Sequence, residues 1–222
     1  MPALLLGSIS TIADTSELQR QAFNAAFAEH DLNWTWDREE YVGMLANSGG
    51  AARISAYAAD RDQDVDAAAV HATKSRRFQE NLATADITPR PGVVDAVRAA
   101  RDNGWKVALV TTTSRANIEA LLEALDPGLS TDDFDVIVDR DDVDQPKPDP
   151  AAYTHALRRL GQDAADCVAV EDNVEGAAAA SAAGVACVAF PNQNTSGQDF
   201  STAERRVESI DYDELRALAV RD

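Results

Sequence analysis

From residue 91 onward, short β-branched runs alternate with helical patterns, and no other feature constrains the fold as strongly. "KVALV" (106–110), "FDVIV" (134–138), "CVAV" (167–170) and "ACVAF" (186–190) are apolar, bounded by turns and the length of strands. Between them lie "PGVVDAVRAARDNG", "SRANIEALLEAL", "DPAAYTHALRRLG" and "NVEGAAAASAAG", each with apolar residues at helical spacing. Several begin with Pro, Ser, Asp or Asn and two end in Gly, which are start and stop signals for helices. Such alternation predicts an α/β fold, a doubly wound parallel sheet with helices on both faces. "ALLLG" at the N-terminus adds one more strand.

Residues 16 to 88 break the rhythm. They carry only helical patterns, "SELQRQAFNAAFAEH", "WDREEYVGMLAN", "GAARISAYAADR" and "VDAAAVHATKSRRFQENLA", and end at "TPRPG". The expected organisation is a core of residues 1–15 and 89–222 with an all-helical cap, 16–88, inserted after the first strand. At 222 residues the chain is long enough for both.

A formal charge of −18 argues against nucleic acid and anionic membranes as partners, because both demand surface Lys and Arg. It is compatible with an acidic soluble surface or with a docking face for a basic protein partner. The two cysteines, Cys167 and Cys187, sit in apolar runs and read as buried thiols. With no basic leader and no run of about 18 apolar residues, the expected location is the cytoplasm.

In open α/β sheets, ligands bind beyond the carboxyl ends of the strands. "KVALV" is followed by Thr111, Thr112 and Thr113, hydroxyls and backbone N–H groups suited to a phosphate, although a Thr-rich strand end also serves as a helix cap. In "DQPKPDP", prolines on both sides of Lys147 restrict the backbone and brace a cation at the mouth of the sheet. "CVAV" ends in Glu171 and Asp172, adjacent acids that suit Mg²⁺ or complement a helix N-terminus.

Together, "ADTSELQRQAFN", "TPRPG", "VALVTTTSRANIEALL", "QPKPDPAAY" and "VAVEDNVEGAAAASAAG" resemble, in order and over nearly the whole chain, the haloacid dehalogenase superfamily. The resemblance is to its helical-cap sugar-phosphate phosphatases and β-phosphoglucomutases. "SGGAARI", "HATKSRRF" and "NTSGQDFSTA" look like the xylulose-bisphosphate phosphatase type. The resemblance implies a Rossmannoid core, a phosphorylated small-molecule ligand and a Mg²⁺ cofactor. It implies that Thr111 holds the phosphoryl group, Lys147 neutralises charge, and Glu171 and Asp172 hold the metal.

The family's first motif, however, is broken. Two aspartates one residue apart are expected, and aligning on "TIADT" puts Gly7 at the nucleophile and Ile9 at the acid/base, with Ser8 between and Ser10 at the family glycine. No Asp or Glu precedes Asp14, so no shift of register rescues the pattern. Gly7 has no side chain to phosphorylate and Ile9 cannot carry a proton, and loss of a positioned acid/base alone costs about 10²–10⁴ in rate. Without the first carboxylate, Mg²⁺ binding is expected to be weak or absent, and Lys147 is expected to lack its partner.

Three functions are compatible with this pattern. One is a protein that binds a phosphorylated metabolite without ordinary phosphatase activity. Another is an enzyme of altered chemistry, using Ser10 or a metal-bound water; alternation along a strand turns Ser8 away from the Gly7 side, and no base is visible for either serine. The third is a regulatory interaction subunit. Arg53 and Lys74 are the expected cap contacts to a ligand, with Arg76 and Arg77 beside Lys74 on a basic stretch that could meet a second phosphate, while Ser8, Ser10, Thr112 and Lys147 line its phosphate end.

Overall fold

The computed structural model describes residues 1–46 and 49–219. Its elements in chain order are β1 (Ala3–Leu6), α1 (Ile9–Ile12), α2 (Ser16–Glu29), α3 (Arg38–Gly43), α4 (Gly50–Ala59) and α5 (Ala67–Leu82), then α6 (Val93–Asp102), β2 (Lys106–Val110), α7 (Arg115–Leu125) and β3 (Val136–Val138). After these come α8 (Ala151–Leu160), β4 (Cys167–Glu171), α9 (Val174–Ala182), β5 (Ala186–Ala189), β6 (Arg205–Arg206) and α10 (Tyr212–Ala219).

The sheet has six strands in the order β3-β2-β1-β4-β5-β6. Every pairing is parallel. The two-residue side-chain period sorts the strands onto two faces. Leu4, Leu6, Val107, Leu109, Val168 and Val170 pack with α6, α7 and α10 in one apolar cluster. Ala3, Leu5, Ala108, Val110, Cys167 and Ala169 pack with α8 and α9 in the other. The second face is lined by small residues, so α8 and α9 lie close to the strands. The Ala-rich stretch of α9 is the packing helix that composition suggests, with Ala177, Ala179 and Ala180 fully buried. Both cysteines are free and buried.

Helices α2 to α5 form a third cluster around aromatic rings. Trp36 is its centre, with ring centroids of Phe27 at 4.6 Å, Phe23 at 4.9 Å and Tyr57 at 5.2 Å. Burying each such ring contributes about 1.5–3 kcal/mol, so this helical unit carries an apolar core of its own. Arg90 of "TPRPG" fastens the returning chain: its guanidinium donates to the carbonyls of Ser10, Phe190 and Pro191 at 3.1, 2.7 and 2.7 Å.

Two elements escape the sequence reading. β6 is two exposed arginines at the sheet edge, with no apolar signal to mark it. α10 is short and returns Leu215 and Ala219 to the first cluster. No helix among the described residues is long and apolar enough to cross a membrane.

Register brings the chemistry together. Leu6 is level with Val170 of β4, so the next residue, Gly7, stands beside Glu171, and its N–H donates to the Val170 carbonyl at 2.8 Å.

Candidate functional site

A cleft of about 470 Å³ opens between the carboxyl ends of the strands and helices α2 to α5. On the sheet side it is lined by Ser8, Ile9, Ser10, Thr111 to Ser114 and Asp172. Arg53, His71 and Lys74 line the opposite wall, and Arg140 joins them from the loop after β3. Gly7, Lys147 and Glu171 lie beneath this surface.

What fills the space at Gly7 is the central feature. A Cβ built on Gly7 would lie 2.0 Å from Cδ of Glu171, and one on Gly176 would lie 2.2 Å from the same carbon. The two glycines thus leave a slot, and the Glu171 carboxylate occupies it. Its Oε1 accepts from Lys147 Nζ at 2.5 Å and from the Tyr153 hydroxyl at 2.7 Å, while Oε2 is buried with no hydrogen-bond partner among the described residues. Glu171 is fully buried. Burial raises its carboxyl above the ordinary range, against the opposing charge of Lys147.

Two expectations are corrected here. Lys147 does not lack a carboxylate; Glu171 has taken the role. Nor is its ammonium free for a phosphate, because its other two donors reach the carbonyls of Gly7 at 2.5 Å and Val110 at 2.8 Å. A lysine has three N–H donors, and all three are used inside the protein.

The second correction concerns Glu171 and Asp172 as the residues implied to hold a metal. Mg²⁺ needs oxygen ligands in octahedral geometry. Glu171 is fully buried, is committed to Lys147 and does not line the cleft. Asp172 does line the cleft, but its Oδ1 accepts from Ser8 Oγ at 2.6 Å and Asn173 Nδ2 at 3.1 Å, and its Oδ2 accepts from Asn192 Nδ2 at 2.7 Å. Among the described residues no three acidic, His or Cys side chains are grouped to hold a cation. The residues present do not fit Mg²⁺.

The turn after β1 also differs from its sequence reading. Ser8 does not point away: β1 has ended, and Ser8 caps the single turn of α1, accepting from the Thr11 N–H at 3.1 Å while donating to Asp172. Ser10, the serine expected to face the pocket, lines it but pairs with Thr15 Oγ1 at 2.8 Å. Ile9 is buried against the first apolar cluster.

On the other side of β1, Thr111 and Thr112 follow β2 and line the cleft. Thr111 Oγ1 accepts from the Thr113 N–H at 3.2 Å. The next helix, α7, begins without a side-chain cap bond from Ser114. Its first turn starts beside Thr113 and Ser114, which line the cleft, and carries the positive end of the helix dipole.

The facing wall is cationic. Arg53 donates Nε to the Met44 carbonyl at 3.1 Å and lies 5.7 Å from the Tyr41 ring centre. Lys74 is buried, donates to Gln19 Oε1 and sits 4.8 Å from the Phe23 ring centre. Burial, and then the like charge of Arg53, push its amine down to about 7. His71, one turn earlier on α5, is pushed down to about 4 by burial, Lys74, Arg140 and Arg53. Arg76 and Arg77, by contrast, turn outward and pair with Glu29 and Glu80, so they do not meet a ligand.

The Lys74 shift has a consequence for stability. The folded amine titrates below its unfolded value, so between about 7 and the unfolded value near 10.5 the unfolded chain binds the extra proton. Stability should therefore rise through that window by up to about 1.4 kcal/mol per pH unit. Urea unfolding of the wild type against Lys74→Met checks it, the variant showing a flatter dependence.

Residues 10–184 match the sequence model of haloacid dehalogenase-like hydrolases, a match that starts just past Gly7 and Ile9. Protein CbbY of Rhodobacter capsulatus is 36% identical over 221 residues, covering 98% of this chain and 97% of that protein. The crystal structure of CbbY from Rhodobacter sphaeroides in complex with phosphate is 38% identical, with a TM-score of 0.87 over 94% of this chain and 95% of that one. The same similarity holds for an aspartate-to-asparagine variant of that protein in complex with xylulose 1,5-bisphosphate.

Proposed function

Because this chain belongs to the haloacid dehalogenase-like hydrolase family, and within it resembles the CbbY proteins, we propose that it binds a phosphorylated sugar in the cleft without performing aspartyl phosphatase chemistry. The observation that carries this reading is the occupied slot at Gly7. The nucleophile position has no side chain, the carboxylate that fills its space is paired with Lys147, and the acid/base position is the apolar Ile9. Neither Gly7 nor Ile9 has a side chain that could form, or help to hydrolyse, an acyl phosphate.

In this reading residues 1–15 and 89–222 form the core, residues 16–88 the cap, and the ligand lies between them. One phosphate meets Thr111, Thr112 and the first turn of α7; Lys74 and Arg53 meet a second anionic group. The cavity carries cations on the wall opposite the phosphate cradle, which suits a ligand charged at both ends. The relative that was crystallised with xylulose 1,5-bisphosphate had itself lost an aspartate, which supports ligand retention without intact carboxylates.

The test is a thermal-shift titration with xylulose 1,5-bisphosphate. At 100 times the dissociation constant, the ligand should add about 2.7 kcal/mol to stability. Lys74→Met should weaken binding by roughly ten- to a hundredfold, the usual range for loss of one charged hydrogen bond. A melting point unmoved by sugar mono- and bisphosphates would contradict the proposal.

A further inference from the structure

The protein has three lysines, and their surroundings differ in kind. Lys106 is paired with Asp135 at 2.8 Å, and Lys147 with Glu171 at 2.5 Å. Lys74 has no carboxylate within ion-pair distance among the described residues. Its only hydrogen-bond partner there is the Gln19 amide oxygen, and two aromatic rings, Phe23 and Phe78, lie 4.8 and 5.2 Å from Nζ. It nevertheless lines the cleft. A desolvated lysine beside a second cation, here Arg53, is the environment that leaves an amine neutral and nucleophilic near neutral pH.

A proton carrier stands next to it. His71 lies three residues earlier on α5, on the same face, and also lines the cleft. Its ring fits because residue 50 is glycine: a Cβ there would lie 2.5 Å from Nε2. Surrounded by Lys74, Arg53 and Arg140, the imidazole stays neutral and can pass a proton.

We propose that Lys74 is an amine nucleophile that forms an imine with the carbonyl carbon of a sugar phosphate held in the cleft. The Nζ lone pair forms the new C–N bond, and the carbonyl π bond breaks. The two amine protons then leave with the carbonyl oxygen as water, His71 carrying one between them, and the C–O bond breaks as the remaining nitrogen pair closes the C=N bond. No oxidant, reductant or further reactant is needed. The ligand class is thereby narrowed to phosphate esters with a free carbonyl. This inference rests on the reading that a phosphate ester enters the cleft.

The probe is dihydroxyacetone phosphate, incubated with the full-length protein across a pH series and reduced with sodium borohydride, which locks an imine as a secondary amine. Peptide mapping should find the adduct on Lys74, half-maximal near pH 7, with Lys106 and Lys147 at background. Lys74→Arg should lose the adduct, since a guanidinium forms no imine under these conditions. If the ester binds and no adduct forms at residue 74, the imine is wrong and the binding reading stands. Equal labelling of Lys74 and Lys106 at every pH also overturns it. If dihydroxyacetone phosphate and the sugar bisphosphates all fail to bind, the reading of the cleft itself has failed.

Discussion

Lys147→Met should destabilise the protein by about 3–5 kcal/mol at neutral pH, the cost of stranding a buried charge. Glu171 is fully buried with Oε2 already unpartnered, so removal of the ammonium leaves only Tyr153 to hold its carboxylate. The loss should shrink as pH falls, because a carboxyl with a raised folded value is relieved by protonation. A double change, Lys147→Met with Glu171→Leu, should recover most of it, since apolar side chains of similar volume often replace buried pairs at little cost. Chemical denaturation of the three variants measures all of this. A Lys147→Met loss under about 1 kcal/mol would show that the pair is not structural and that Lys147 remains available to a ligand.

The reversion Gly7→Asp with Ile9→Asp should have the largest effect on activity. A Cβ at residue 7 collides with the far end of the Glu171 side chain, not with backbone, so Glu171 can rotate out of the slot. Displaced toward Asp172, it would complete with the new Asp at position 7 an oxygen-rich set that the wild type does not possess. The reverted protein is expected to gain a thermal shift on adding Mg²⁺ and to release phosphate from sugar bisphosphates only with that ion. Release should exceed the wild-type background by at least about 10²-fold, the lower bound for a working acid/base. Gly7→Asp alone should stay silent, because Ile9 still cannot move a proton. No Mg²⁺ shift in the double variant would mean that the pocket has changed beyond the first motif.

The fold was legible in the sequence because its signals are local. "KVALV" and "CVAV" became β2 and β4 with boundaries shifted by at most one residue, and the chemistry lies at their ends as the topology rule requires. β6 was not legible, since edge pairing by Arg205 and Arg206 leaves no apolar period to read. The site was partly legible. Gly7 and Ile9 announce the missing chemistry, but not that Glu171 would refill the space. That outcome depends on a side chain 164 residues away, on parallel register, and on Gly176 opening the far side of the slot. The partnership of Ser8 with Asp172 was hidden for the same reason. A signal that separates Lys74 from Arg76 and Arg77 is present in the sequence: Val70, Lys74, Phe78 and Leu82 repeat every four residues and are all buried in α5, whereas 76 and 77 fall on the outer face.

The most direct test of the central claim follows the ³¹P spectrum of xylulose 1,5-bisphosphate mixed with substoichiometric wild-type protein and Mg²⁺. Saturable broadening of the ester resonances, with no inorganic phosphate signal growing over hours, is the expected result for a cleft that holds its ligand beside Gly7 and cannot cleave it. A phosphate resonance that grows in proportion to protein concentration, and is lost in Thr111→Ala, would contradict it.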